Sequence, residues 1–106
     1  MTLARELREP SSQAQALWLR GEIAAHHVPP EHEAAETAYR QAQTLAETLG
    51  LRPLLAHCHL GLGTLYDGRN QPEPARLELS AAVELFRSMN MTFWLCRAEA
   101  ALARVA

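Results

Sequence analysis

The chain contains no lysine, and all ten of its basic residues are arginine. We read that bias as GC-rich coding of a bacterial kind rather than as functional selection. Cysteine is limited to two residues, Cys58 and Cys96, which fall at apolar positions of different helical stretches. Two cysteines are too few for a disulfide framework, and in a reducing compartment both are expected to be small buried hydrophobes. No apolar run approaches the roughly 20 residues that a membrane span needs. The first residues, with Arg5, Glu6, Arg8 and Glu9, lack the pattern of a signal peptide. The expectation is therefore a cytoplasmic chain with no membrane partner. Neither sign of charge dominates. A net charge of −2 and a pI of about 6.2 provide no general attraction to nucleic acid. A phosphate-binding GxxxxGK[ST] loop is missing, as is any nucleophile spaced with a base, so no catalytic residue and no cofactor is assigned.

What is present is helical periodicity. Leu54, Leu55, Cys58, Leu62, Leu65 and Tyr66 fall on one face at helical spacing, and Ala75, Leu79, Ala82, Phe86 and Met89 do so after a break at 67–74. Pro53 suits the first turn of a helix, while Gly68 and Asn90 are placed to end helices in the left-handed conformation. A short break between two amphipathic helices predicts an antiparallel hairpin. That hairpin has a copy. Ala35, Tyr39, Ala42, Leu45, Leu49 and Leu51 are matched forty positions on by Ala75, Leu79, Ala82, Leu85, Met89 and Met91, and LARELRE at 3–9 aligns with LAETLGL at 45–51 and LFRSMNM at 85–91. Gly21 and Gly63 mark the preceding helix of each unit, offset by forty-two because the first turn is two residues longer. A period of this size signals a helical solenoid.

With 106 residues, 48% hydrophobic and 21% charged, the chain fits one small domain that buries roughly 65% of its unfolded surface. Its expected parts are a partial helix at 1–9, a first unit at 11–49, a second at 52–90 and a terminal helix at 92–105. Ser12 with Gln15 resembles a capping box for a helix whose stripe is Ala14, Leu17, Trp18, Gly21, Ala24, Ala25 and Val28, ending at Pro29-Pro30. Glu31 to Leu49 is the next helix, stopped by Gly50, and Thr92 is placed to cap the last.

The repeat resembles the tetratricopeptide family, whose W-x2-L-G-x2-Y then A-x3-F-x2-A pattern is met by Leu62-Gly63, Tyr66, Ala75, Leu79 and Ala82, with His59 where tryptophan is usual. The first unit keeps Gly21, Ala35, Tyr39 and Ala42 but has Arg20 for leucine and Ala24 for tyrosine, and the period near forty exceeds the usual 34. GLRPLLAHCHLGLGTLY followed by MNMTFWL further resembles the repeat tails of large bacterial signalling proteins that join a class III nucleotide cyclase or a transcription-activator domain to an ATPase module. The resemblance implies an all-α stack of antiparallel hairpins and a role in protein–protein interaction or regulatory scaffolding. It also implies that the first helix of each unit lines a concave groove for a protein or peptide, which carries over to Gln15, Trp18 and Glu22, then His57, Leu60 and Thr64, then Arg97 and Arg104. Chaperone-binding relatives hold a terminal carboxylate with lysine and asparagine. Glu22 and Thr64 stand at two such places here, so acidic C-terminal tails are not expected as ligands.

Other polar and glycine residues form patterns that invite a chemical reading. His57, Cys58 and His59 are consecutive on a helix, where side chains diverge by about 100°, so they do not form a metal site. His26, His27 and His32 gather near the Pro-Pro turn and read as a solvated helix end. Gly61 and Gly63 follow no strand, which favours close helix packing over a dinucleotide loop. The glutamates at 31, 33 and 36 and at 78 and 84 read as solvated faces. Trp18, Phe86, Phe93 and Trp94 have core-like spacing. The alternatives to a binding module are a small ligand-binding or enzymatic helical domain, or a fragment without a function of its own. Since the first full helix lacks part of its cover, a homodimer through residues 1–28 is also expected, with the C-terminal end the better sealed.

Overall fold

Helices in this chain restart at regular intervals, because the same hydrogen-bonded turn is used repeatedly. The computed structural model describes residues 10–105, which form α1 (Pro10–Ala25), α2 (His32–Leu49), α3 (Arg52–Gly68), α4 (Pro72–Ser88) and α5 (Thr92–Val105). The amide of Leu51 donates to the carbonyl of Ala46, that of Gln71 to Tyr66, and that of Met91 to Phe86, at 2.9, 2.9 and 3.0 Å. Each closure follows a residue with positive φ, namely Gly50 (71°), Asn70 (59°) and Asn90 (56°). This six-to-one bond around a left-handed residue satisfies carbonyls that the ended helix leaves unpaired. The next helix starts at once, since the carbonyls of Leu51, Gln71 and Met91 accept from Leu55, Ala75 and Leu95. In the α1–α2 connection the amide of Glu31 reaches back to Ala24, with Glu31 in turn accepting from Ala35. That loop is two residues longer, as the forty-two-residue offset of the glycines requires.

Several boundaries differ from the sequence reading. α1 runs from Pro10, so Ser12 lies inside the helix rather than capping it, and α1 ends at Ala25, which leaves Val28 in the connection and exposed. Glu31 precedes its helix instead of opening it, and Thr92 is the first residue of α5. The α3–α4 turn is only Arg69–Gln71: Gly68 is still helical, and Asn70 supplies the left-handed residue. Asparagine tolerates that region because its short amide bonds locally, so the turn needs no glycine. The partial helix expected at 1–9 lies outside the described residues.

Connections this short force neighbouring helices antiparallel, and each helix packs on its neighbours in the chain while α3 touches both α1 and α5. The shortest dimension of the molecule, 21 Å, is two helix diameters of about 10 Å. The protein is thus an all-α stack two helices thick. Its core alternates small and large residues. The fully buried Tyr39, Leu62, Leu79 and Phe86 sit among buried alanines such as Ala14, Ala35, Ala56, Ala75 and Ala98. Burying each large side chain contributes about 1.5–3 kcal/mol.

Glycines set the spacing between the two layers. A Cβ on Gly21 would stand 2.7 Å from the Tyr39 ring, and one on Gly63 would stand 2.5 Å from Leu79 Cγ. Tyr39 and Leu79 are forty positions apart, so one contact between the first and second helix of a unit occurs twice. A Cβ on Gly61 would stand 2.6 Å from the same ring. The ring of α2 is therefore clamped between α1 and α3, which draws those two helices together along one face of the stack.

Candidate functional site

Where α1, α3 and α5 converge on that face they enclose an open cleft of about 320 Å³. His57, midway along its wall, is surrounded by rings. Its imidazole meets Trp94 edge-on at 4.5 Å, Phe86 at 5.2 Å and Trp18 at 5.8 Å between centroids. Burial holds this imidazole below its ordinary pKa, although the charge of Glu22 works against the shift. The floor is Tyr39, whose hydroxyl donates to Glu22 Oε2 at 2.5 Å. Burial and that carboxylate raise the phenol's pKa, so Tyr39 stays neutral and Glu22 is held as an oriented acceptor. On α5, the Arg97 guanidinium lies over the rings of Phe93 and Trp94, at 5.0 and 5.8 Å from their centroids. Among the described residues no carboxylate lies within ion-pair distance of Arg97. Stacking fixes the direction of this cation and leaves its N–H donors available. The Trp18 Nε1 donor is buried and has no hydrogen-bond partner among the described residues.

The structure thus brings Trp18, Glu22, His57, Leu60, Thr64 and Arg97 together along one cleft. Thr64 bonds its own helix, donating to the Leu60 carbonyl at 2.8 Å. Two of the expected groove residues do not join them: Gln15 is exposed outside the cleft, and Arg104 pairs with Asp67 at 3.0 Å. The sequence reading missed Tyr39, Trp94 and His26, which also line the cleft. The spacing of Trp94 predicts a core position, but it is only half-buried and its indole forms the α5 wall. Phe93 departs further from the core assignment and is 63% exposed. The signal for Tyr39 was the glycine pair Gly21 and Gly61, since two helices that both omit a side chain must be admitting one from elsewhere.

Across α2, α3 and α4 a second polar cluster forms where solvated glutamates were expected. Glu78 is half-buried and accepts from His59 Nδ1 at 2.7 Å and from Arg40 at 3.1 Å. Burial pushes its pKa up, but the His59 bond and the Arg40 charge outweigh this and hold it below the ordinary value. Arg40 also donates to the Tyr66 hydroxyl, which donates to Glu36. Each of these groups is engaged by another, so the cluster fastens three helices together. The consecutive His57, Cys58 and His59 point apart, to the cleft, the core and this cluster. Among the described residues no three His, Cys, Asp or Glu side chains converge as metal ligands would. Burial pushes the Cys58 thiol up to about 12, whereas Cys96 is exposed on α5, against the expectation that both would be buried. α5 has too few neighbours to cover both of its faces.

None of the described helices is long and apolar enough to cross a membrane. Comparison with protein-family models, curated proteins and solved structures gave no match to this chain.

Proposed function

We propose that this protein is a non-catalytic binding module, a short tetratricopeptide-like solenoid whose cleft between α1, α3 and α5 holds a peptide or a protein segment. The observation that carries this reading is the composition of the cleft. Trp18, His57 and Trp94 offer rigid aromatic surface, Arg97 offers a directed cation with no carboxylate partner among the described residues, and Glu22, held by the Tyr39 hydroxyl, offers an oriented acceptor. Rings and arginine are the side chains that carry most binding energy at protein interfaces. Their separation along one groove suits an extended chain that offers an apolar anchor and hydrogen-bonding groups. The repeat pattern and the arginine-only basic composition support placing the module in a larger bacterial signalling or regulatory protein of the cytoplasm.

The test is selection from a random nine-residue peptide library, followed by fluorescence anisotropy on the enriched sequences. The expected result is a shared motif with micromolar affinity that weakens at least about tenfold in Arg97→Glu and in Trp94→Ala, corresponding to losses of about 1.4 kcal/mol or more. A library that yields no shared motif, or a motif indifferent to both substitutions, would overturn the reading.

A further inference from the structure

Among the described residues four carboxylates are half-buried: Glu22, Glu36, Asp67 and Glu78. A charge that has lost part of its water is costly unless an opposite charge takes the water's place. The chain supplies arginine at three of the four. Arg69 reaches Glu36 at 3.4 Å, Arg104 reaches Asp67 at 3.0 Å, and Arg40 reaches Glu78 at 3.1 Å. Glu22 has no cation within ion-pair distance among the described residues. Of the four, it is also the one that lines the cleft. Glu22 and Glu36 are otherwise built alike, since a tyrosine hydroxyl donates to Oε2 of each at 2.5 Å, Tyr39 to Glu22 and Tyr66 to Glu36. At Glu36 the second oxygen, Oε1, accepts from Arg69. At Glu22 only the Tyr39 bond is made among the described residues, which leaves Oε1 open.

The other basic groups of the cleft are engaged elsewhere. His26 Nδ1 lies 2.8 Å from the backbone carbonyl of Glu22, so its hydrogen bond goes to the main chain and not to the carboxylate. Burial disfavours a charge on His57. Arg97 is stacked on Phe93 and Trp94, and α5 packs on α3 and α4 but not on α1. A segment that filled the cleft with apolar groups alone would strip the remaining water from Glu22 and leave its charge uncompensated. The protein's own pairs show which cation suits such a place. Arg40 meets Glu78 while its guanidinium lies over the Tyr66 ring, 5.9 Å from the centroid. Trp18 stands one helical turn before Glu22 on the same face of α1, with the His57 ring 5.8 Å away, so a ring and a carboxylate are again side by side. A guanidinium uses both, because it bonds an acid through its edge and stacks through its faces. Its aliphatic stem suits the apolar wall at Leu60.

We infer that the cleft selects a segment carrying an arginine, whose guanidinium bonds Oε1 of Glu22 and stacks beside Trp18. Glu22 is then the residue that sets specificity, by supplying in the cleft the half of an ion pair that the chain completes for itself at Glu36, Asp67 and Glu78. The arginine belongs to the peptide that the cleft holds, so this inference rests on the reading of the cleft as a peptide site and adds the chemistry of its anchor.

Trp18 and Trp94 are the two tryptophans of the chain, and both line the cleft, so intrinsic fluorescence reads its occupancy. The probe is N-acetylarginine amide titrated to about 20 mM, a range suited to the millimolar affinity of a single side chain. Its neutral isostere, N-acetylcitrulline amide, is the control. The arginine compound is expected to give a saturable change and the citrulline compound to bind at least about tenfold more weakly. In Glu22→Gln, which keeps an acceptor for the Tyr39 hydroxyl and whose helicity circular dichroism checks, the difference between the two compounds is expected to vanish. Equal responses to both compounds in the unaltered protein overturn the inference, and that comparison needs no variant. A difference that persists in Glu22→Gln overturns it too, because the guanidinium would then be held elsewhere. The same exchange of arginine for citrulline within a selected nine-residue peptide is expected to cost at least about tenfold in the unaltered protein and little in Glu22→Gln. A selected motif that lacks arginine yet weakens in Arg97→Glu and Trp94→Ala overturns this inference while the cleft remains a peptide site. A response to the arginine compound with no shared peptide motif supports the guanidinium site and removes the peptide.

Discussion

Placing one methyl group at position 63 tests the packing argument at its tightest point. Gly63→Ala should gain about 1 kcal/mol of helix propensity in the interior of α3. Against that, the new Cβ would stand 2.5 Å from Leu79 Cγ, 2.6 Å from Leu79 Cδ2 and 3.2 Å from the Leu79 backbone nitrogen. Carbon atoms pack at about 3.5 Å or more, so the side chain must retreat by about 1 Å. Leu79 is fully buried, and the nearby backbone nitrogen means that α4 must move too. Overpacking of this kind costs about 1–3 kcal/mol. The net expectation is destabilisation of up to about 2 kcal/mol, a fall in Tm of several degrees for a domain of this size. Gly68→Ala is the control, because no atom lies within 4 Å of its Cβ position and its φ is not positive. That change should leave Tm unchanged or raise it slightly. Thermal denaturation followed by circular dichroism reads both variants. Should Gly63→Ala melt at or above the temperature of the unaltered protein, the close approach of α3 and α4 is not what glycine provides there. Leu79→Ala adds a second check, since it should cost less in the Gly63→Ala background than in the unaltered one.

Three further outcomes follow from the polar groups. Because the folded chain favours neutral His57, the unfolded chain takes up a proton first, and Tm should fall as pH drops from the ordinary imidazole value of 6.5 through the lower folded one. His57→Phe keeps the ring contacts and should flatten that slope, so superimposable curves for the two proteins would show that the imidazole does not titrate against folding. The depressed Glu78 pKa works in the same direction further down: its contribution is complete above the ordinary value of 4.5 and is lost as pH falls through the folded value. Glu78→Gln should remove that lower loss and cost about 1–2 kcal/mol at neutral pH, which urea denaturation at pH 7 and pH 4 checks. In dilute native protein, iodoacetamide should modify Cys96 and spare Cys58, the second site reacting only on unfolding. Equal labelling of both by peptide mass spectrometry would contradict the burial of Cys58.

Local chemistry along the chain determined the helices and their repetition. Left-handed stops at Gly50 and Asn90, apolar stripes at helical spacing and the forty-residue match of Ala35, Tyr39 and Ala42 with Ala75, Leu79 and Ala82 are short-range facts, since capping and amphipathicity act within a turn or two. That Gly61 and Gly63 serve close packing was also legible, because an interior glycine weakens a helix unless something approaches it. Which face of each helix is covered, and by what, was decided only by the tertiary structure. Trp94 and Phe86 have equivalent spacing, yet Phe86 lies between α4 and its neighbours while Trp94 stands at the rim of the last helix and forms a cleft wall. Glu78 reads as a solvated residue until α2 and α3 bring Arg40 and His59 against it, from positions thirty-eight and nineteen residues away. Cys58 and Cys96 are alike in sequence, but α3 has neighbours on both sides and α5 on one. Periodicity states that a helix has an apolar side. Only the packing of the other helices determines how much of that side is hidden from water, and burial is what sets the pKa of His57, the inertness of Cys58 and the exposure of the α5 face.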